Sequence, residues 1–267
     1  MPFGWIDANQ FSFNTLLLMD SRIFRIVARN EETEFKKKLS ISLSGNPQVY
    51  WYIVNKCPER KEYYDELVAS APTGCSQDEI RECETYVLDN LDWAVVYVYP
   101  EIMEELPYIK DWDNDRLLSM TDFKDKVVLD IGSGTGRLAF AAAKVARHVY
   151  ACEPIDRLRE YMRKKQKRLS VKNLYIIDGS IELLPFHEGM FDIVMSGHVL
   201  GDDFKAELRE MSRVTRPGGY IIDCPGEDDR KKPEGPAKEL IELGFQSSHY
   251  ISKNGGDVYR YWWRKPL

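Results

Sequence analysis

Residues 127–139 read Val-Val-Leu-Asp-Ile-Gly-Ser-Gly-Thr-Gly-Arg-Leu-Ala. An apolar, partly β-branched run closes on Asp130 and Ile131 and opens into glycines at Gly132, Gly134 and Gly136, with Ser133 between the first two. The pattern predicts a strand, a tight turn and a helix start in immediate succession. Glycine suits such a turn because positive φ costs it nothing and because the missing side chain lets backbone N–H groups approach a ligand at the helix N-terminus. The spacing is G-x-G-x-G, one residue short of the dinucleotide fingerprint G-x-G-x-x-G.

Working outward, residues 127–131, 148–152, 174–177, 191–196 and 219–224 read as short apolar strands. The segments between them can carry crossover connections, the signature of a parallel α/β sheet. After residue 224 a Pro/Gly/charge-rich loop at 225–235 leads to a helix over 236–243, closed by Gly244. Residues 245–252 and 257–264, on either side of Asn254-Gly255-Gly256, then read as an antiparallel hairpin. The expected fold is α/β: a Rossmann-like, mostly parallel sheet ending in an antiparallel C-terminal hairpin.

Residues 1–115 show no period-2 strands and carry helical signals, among them the capping box Ser76-x-x-Glu79 ahead of Ile80, Val87, Leu88 and Leu91. This part is expected to be a mainly helical cap or substrate region, with residues 116–267 forming the ligand-binding domain. Its aromatics, including Trp5, Trp51, Tyr52, Tyr63, Tyr64 and Trp93, are expected mostly in its core.

Composition narrows the class. The net charge of −6 argues against a broad nucleic-acid footprint. The dense basic stretch over residues 157–172 reads as a solvated helix face. The best apolar run, at residues 93–99, falls far short of the ~20 residues a membrane span needs. No secretory leader pattern opens the chain, so a cytoplasmic location is expected. Five cysteines without a C-x-x-C pair and four scattered histidines predict reduced thiols and no metal site.

In a parallel sheet, ligands lie beyond the carboxyl ends of the strands near the switch in strand order. The residues there are Asp130 and the glycines, then Glu153, then Asp178, Gly179, Ser180 and Ile181, and then Gly197 and His198. Glu153 stands where a carboxylate can accept the two hydroxyls of an unphosphorylated ribose.

The glycine loop, the acid after the second strand, the Glu182-x-Leu184-Pro185-Phe186 run followed by Phe191-Asp192-x-Val194, and the Arg213-Val214-x-Arg216-Pro217-Gly218-Gly219 block occur in order. With these motifs, residue 127 to about 224 resembles the class I S-adenosylmethionine-dependent methyltransferases, specifically the small-molecule group that includes ubiquinone and menaquinone methyltransferases. The resemblance implies a seven-stranded sheet and S-adenosyl-L-methionine as cofactor. It implies that Gly132, Ser133, Gly134 and Gly136, supported by Asp130, hold the methionine part, that Glu153 takes the ribose, and that Ser180 and Ile181 meet the adenine. The family commonly has Asp where Ser180 stands, and Asp178 is the alternative acceptor.

Methyl transfer asks the protein mainly for alignment. A base is needed only for an acceptor that must lose a proton, and His198 is the residue placed for it. Asp202 and Asp203 read as an N-cap and a first-turn acid. A covalent role for Cys224 is set aside because no partner cysteine follows the fourth strand. The expected acceptor is a small molecule, with the oligomeric state left open. The alternatives are a cofactor-binding module without transfer activity and a nicotinamide-dependent oxidoreductase.

Overall fold

The computed structural model describes residues 2–201, 203–226, 235–252 and 255–267. Its chain divides into two units, Met1–Tyr99 and Pro100–Leu267. The expected border at 115/116 thus falls later than the division of contacts. Residues 100–118 belong to the second unit, where Leu117 is fully buried in one of its clusters and Trp112 and Leu118 pack against the same cluster.

The first unit is helical: Ser21–Val27 (α1), Thr33–Gly45 (α2), Pro47–Lys56 (α3), Lys61–Ala69 (α4), Gln77–Asn90 (α5) and Asp92–Val98 (α6), with short 3-10 turns between some of them. The capping box forms as expected, with Glu79 N–H donating to Ser76 Oγ at 3.2 Å and Ser76 N–H to Glu79 Oε2 at 2.7 Å. Its core is built on Phe13, Phe24, Phe35, Leu43, Tyr64 and Val87. Tyr64 keeps its hydroxyl satisfied on the carbonyl of Phe24, as a buried phenol must. Trp51 departs from the expectation of core packing, being 65% exposed on α3.

The second unit begins with three short helices, Pro100–Glu105 (α7), Pro107–Lys110 (α8) and Asp115–Leu118 (α9), and continues through a seven-stranded sheet. The strands are Val127–Ile131 (β1), His148–Cys152 (β2), Leu174–Ile177 (β3), Phe191–Ser196 (β4), Thr215–Asp223 (β5), Gln246–Ile251 (β6) and Asp257–Arg264 (β7). Between them lie Arg137–Ala142 (α10), Asp156–Arg168 (α11), Phe204–Val214 (α12) and Lys238–Glu242 (α13). The order is β3-β2-β1-β4-β5-β7-β6, with β1 to β5 parallel and β7 antiparallel to both neighbours. β5 starts four residues earlier than expected, because Thr215 already pairs with Phe191 across a register shift before the main ladder begins at Tyr220. Residues 227–234 of the predicted loop, Asn254 of the predicted turn and Asp202 lie outside the described residues.

β1 and β4 are covered on both faces, one by a cluster containing Val128, Ile193 and Met195 and the other by one containing Leu129, Ile131 and Val194. Two covered faces explain their continuous apolar runs. The chain turns from β1 outward to β2 and β3, then returns to the other side of β1 for β4, so the switch in strand order falls between β1 and β4.

Candidate active site

Register brings the candidate residues to one end of the sheet. Ile131 is level with Cys152 of β2 and with Ser196 of β4, and Ser196 is level with Asp223 of β5. The residues that follow these strands therefore emerge side by side. Gly132 N–H donates to the carbonyl of Cys152 at 2.8 Å, so the loop leaves β1 leaning toward β2.

Gly132, Gly134 and Gly136 have φ of +64°, +58° and +91°. A side chain at each would be strained and, at two of them, would also collide. A Cβ on Gly132 would lie 2.4 Å from Val199 Cγ2, and one on Gly136 2.5 Å from the Phe140 ring. Ser133 is buried and donates its hydroxyl to the carbonyl of Asp130 at 3.0 Å.

Glu153 is 4% exposed, and its carboxylate spans two loops by accepting N–H of Gly134 and N–H of Ile155, each at 2.9 Å. Arg159, on α11, turns inward and binds the carbonyls of Glu153 and Pro154 together with Asp178 Oδ1 at 2.9 Å. Lys165 of the same helix pairs with Glu104 and donates to the carbonyl of Thr135. The basic stretch is therefore not wholly a solvated face, since two of its cations organise the loops after β1 and β2.

The turn after β3 is brought to the same edge. A Cβ on Gly179 would lie 2.7 Å from Cys152 Sγ, which holds this turn close against β2. Ser180 is half-buried and bridges to Leu183. The Ile181 side chain is 3% exposed in the cluster with Leu129, Ile131 and Leu184, so any contact with a planar ligand falls to its backbone or edge. Asp178 is engaged by Arg159 through one oxygen.

Asp130 is buried, and burial pushes its carboxyl up to about 7 against the lowering influence of Arg137. Its Oδ2 has no hydrogen-bond partner, nor does the buried Thr135 Oγ1 of the glycine loop. Asp223, at the end of β5, is pushed up to about 6 by burial, although Ser196 Oγ donates to it at 3.0 Å. His198 follows β4 with φ +71°, an unusual conformation for a side-chain-bearing residue, and its Nε2 accepts the N–H of Gly226 at 2.8 Å. Asp203 caps α12 by accepting the N–H of Ala206. Cys224 is buried and its thiol is pushed up to about 12, an inert environment for a nucleophile.

Several neighbours carry no local motif. Met103, Tyr108 and Trp112, on and just after α7 and α8, lie against the glycine loop, His198 and Arg137 respectively. Their only sequence signal is an aromatic and apolar segment ahead of β1, which reads equally well as core.

These residues fit an S-adenosylmethionine group. The orphaned Asp130 Oδ2 suits a cationic amino group, Thr135 Oγ1 offers another polar contact, and Glu153 places a buried carboxylate, an acceptor suited to hydroxyls, just past β2. Among the described residues no set of three or more His, Cys, Asp or Glu side chains could hold a metal ion, and no helix is long and apolar enough to cross a membrane.

The strand order and the match to the family model support a class I S-adenosylmethionine-dependent methyltransferase domain in the second unit. Residues 129–223 match the family model described as a methyltransferase domain. An uncharacterized methyltransferase of Schizosaccharomyces pombe is 36% identical over 138 residues, covering 48% of this chain and 49% of that protein. A demethylmenaquinone methyltransferase of Geobacillus kaustophilus is 32% identical over 116 residues, covering 42% and 50%. The chain thus spans about half the length of these relatives. A Methanococcus maripaludis structure of the S-adenosyl-L-methionine-dependent methyltransferase type shares the fold at TM-score 0.52 and 16% identity, covering 64% of this chain and 92% of that one. The nicotinamide alternative has no support beside these matches and the short glycine spacing.

Proposed function

We propose that this chain transfers the methyl group of S-adenosylmethionine to a small-molecule acceptor by in-line displacement. The observation that carries the reading is the Glu153 carboxylate joined to the Gly134 amide, at the strand ends beside the switch in strand order and within the residues that match the methyltransferase domain model. The bound cofactor would supply an electrophilic methyl on a sulfonium, so the protein's share is alignment and exclusion of water.

On this reading Gly132, Ser133, Gly134 and Gly136 hold the methionine part beside Asp130, and Glu153 takes the ribose hydroxyls. The turn at Asp178, Gly179, Ser180 and Ile181 borders the adenine. His198 stands at the end of β4, toward the acceptor side. With Nε2 accepting the Gly226 amide, its ring in this pose has no free lone pair on that nitrogen. We therefore assign His198 to positioning, with proton removal needed only for a protic acceptor. The aromatic-rich first unit is proposed to serve acceptor choice.

The acceptor is not carried over from the relatives, one of which is named for demethylmenaquinone. Isothermal titration with S-adenosylhomocysteine and NADH tests the cofactor, with binding of the first alone expected. A screen of quinols, amines and small acids with methyl-labelled cofactor tests transfer. Cofactor binding without labelled product from any of them would favour the binding-module alternative.

A further inference from the structure

Four of the buried side-chain polar atoms without a hydrogen-bond partner lie in one contiguous stack: Arg137 Nη1, Trp112 Nε1, Tyr250 Oη and Arg260 Nε. Arg137 Cζ sits 4.1 Å from the Trp112 ring centre. Arg116 Cζ lies 5.7 Å from the same ring and 4.2 Å from that of Tyr250, and Arg260 Cζ is 5.6 Å from the Tyr250 ring. Cation and aromatic thus alternate along the stack.

Among the described residues, neither Arg137 nor Arg260 forms an ion pair. Arg137 Nη2 donates to the carbonyl of Cys224, while Arg260 donates to the carbonyl of Arg116, Ser119 Oγ and Ser248 Oγ. The carboxylates in electrostatic range of Arg137 are Asp130 and Asp223, and burial disfavours the charge of each. Partly buried cations with orphaned N–H groups are costly unless something negative meets them. All four orphaned atoms can donate, and a guanidinium fork matches the geometry of an oxyanion.

Position says which molecule the oxyanion belongs to. Arg137 opens α10 but reaches across to the carbonyl of Cys224 just past β5, and Tyr250 and Arg260 lie on β6 and β7, whereas Glu153 follows β2, with β1 and β4 between. A cofactor anchored through Glu153 and the glycine loop leaves the β5 side to the second substrate.

We propose that the Arg137 end of this stack is an oxyanion site for the methyl acceptor, receiving a carboxylate or phosphate group on Arg137 Nη1 with Trp112 Nε1–H as a further donor. The assignment rests on the methyltransferase reading above. It makes the acceptor an anionic small molecule and gives Arg137 a role in selecting it.

The test uses the full chain, with S-adenosylhomocysteine, its decarboxylated analogue, inorganic phosphate and benzoate as separate titrants at fixed ionic strength. One or both oxyanions are expected to bind the S-adenosylhomocysteine complex saturably. Arg137→Gln is expected to weaken that binding by about tenfold or more, the loss of a charge-assisted bond. Trp112→Phe, which keeps the ring and removes the donor, is expected to weaken it by about threefold or more. Lys172→Gln on the exposed surface leaves it unchanged.

S-adenosylhomocysteine affinity should stay within about twofold in Arg137→Gln. If that variant instead weakens S-adenosylhomocysteine but not the decarboxylated analogue, the oxyanion is the cofactor's own carboxylate and the proposal is overturned. It is equally overturned if neither oxyanion binds, or if both variants, shown folded by their melting curves, bind it like the wild type. Loss of the oxyanion in the variants with no S-adenosylhomocysteine binding by the wild type would sink the methyltransferase reading while leaving the anion site standing.

Discussion

Glu153 Oε2 accepts the backbone N–H of Gly134 at 2.9 Å, so the acid that ends β2 is hydrogen-bonded to the glycine loop that ends β1. One carboxylate therefore fixes the separation of two loops and, on the proposed reading, also accepts the ribose hydroxyls. Glu153→Ala removes both functions at once and leaves the buried amides of Gly134 and Ile155 without their acceptor. The expected result is a loss of about 1–3 kcal/mol in unfolding free energy, together with a fall of at least about tenfold in S-adenosylhomocysteine affinity. Denaturant melts and calorimetry measure the two, and unchanged affinity would remove the ribose assignment.

The glycines of the loop differ in what surrounds them. At Gly132 a Cβ would meet the branched Val199 at 2.4 Å, while at Gly134 it would meet the terminal methyl of Met103 at 3.0 Å. Val199 is stiff at χ1 and Met103 is not. Both substitutions to Ala carry the positive-φ penalty of about 1 kcal/mol. Gly132→Ala is expected to cost about 1–3 kcal/mol more for overpacking, and Gly134→Ala little more than the backbone penalty. Adding Val199→Ala should recover part of the Gly132→Ala loss and none of the Gly134→Ala loss. Equal melting temperatures for the two single variants would contradict this order.

Asp130 is pushed up to about 7 and Asp223 to about 6, both by burial. In the unfolded chain each would lose its proton near the ordinary aspartate value, so between that value and the folded value the native state holds more protons. Stability is therefore highest at acid pH on account of these groups and declines as pH rises, steeply to about 6 and more gently to about 7. Over a window of about three pH units Asp130 alone corresponds to a decline of order 4 kcal/mol. Asp130→Asn should flatten that part of the urea-derived stability profile. A cationic cofactor group beside Asp130 should lower its pKa, so binding near pH 6.5 should release protons, seen as a dependence of the calorimetric enthalpy on buffer ionisation.

The sheet was legible from residue patterns because buried parallel strands have to be short apolar runs, and 127–131, 148–152, 174–177 and 191–196 coincide with β1 to β4. The glycine loop and Glu153 were legible because positive φ and a carboxylate at a strand end leave a local mark. What was not legible depends on long-range contact. Arg159 and Lys165 look like their exposed neighbours in a basic helix, and only the packing of α11 turns them inward. Arg213 and Arg216 belong to the motif that supports the family resemblance, yet the first binds the carbonyls of Leu184 and Phe186 and the second pairs with Asp192. Part of that motif thus records how loops are fastened rather than how a ligand is held. Residues 100–118 form short, charged helices whose membership of the second unit is decided by the core they join rather than by any local pattern.

His198 is where sequence position and geometry point to different roles. It stands past β4 as a base would, but Nε2 accepts the Gly226 N–H at 2.8 Å and the backbone is held at φ +71°. An imidazole nitrogen that accepts an amide N–H must break that bond before it takes a proton. Asparagine tolerates the left-handed conformation and carries an acceptor oxygen, so His198→Asn can keep the chain's path while deleting the titrating ring. The expected outcome is turnover within about tenfold of wild type, with an unchanged pH profile and a raised KM for the acceptor, because the segment after β5 is then less well held. A fall of more than about a hundredfold in kcat, with loss of one ionisation from the pH–rate profile, would restore the base assignment. His198→Ala separates the cases further, since it removes the acceptor as well. A positioning residue should then show the larger effect in Ala than in Asn, whereas a base should show the same loss in both.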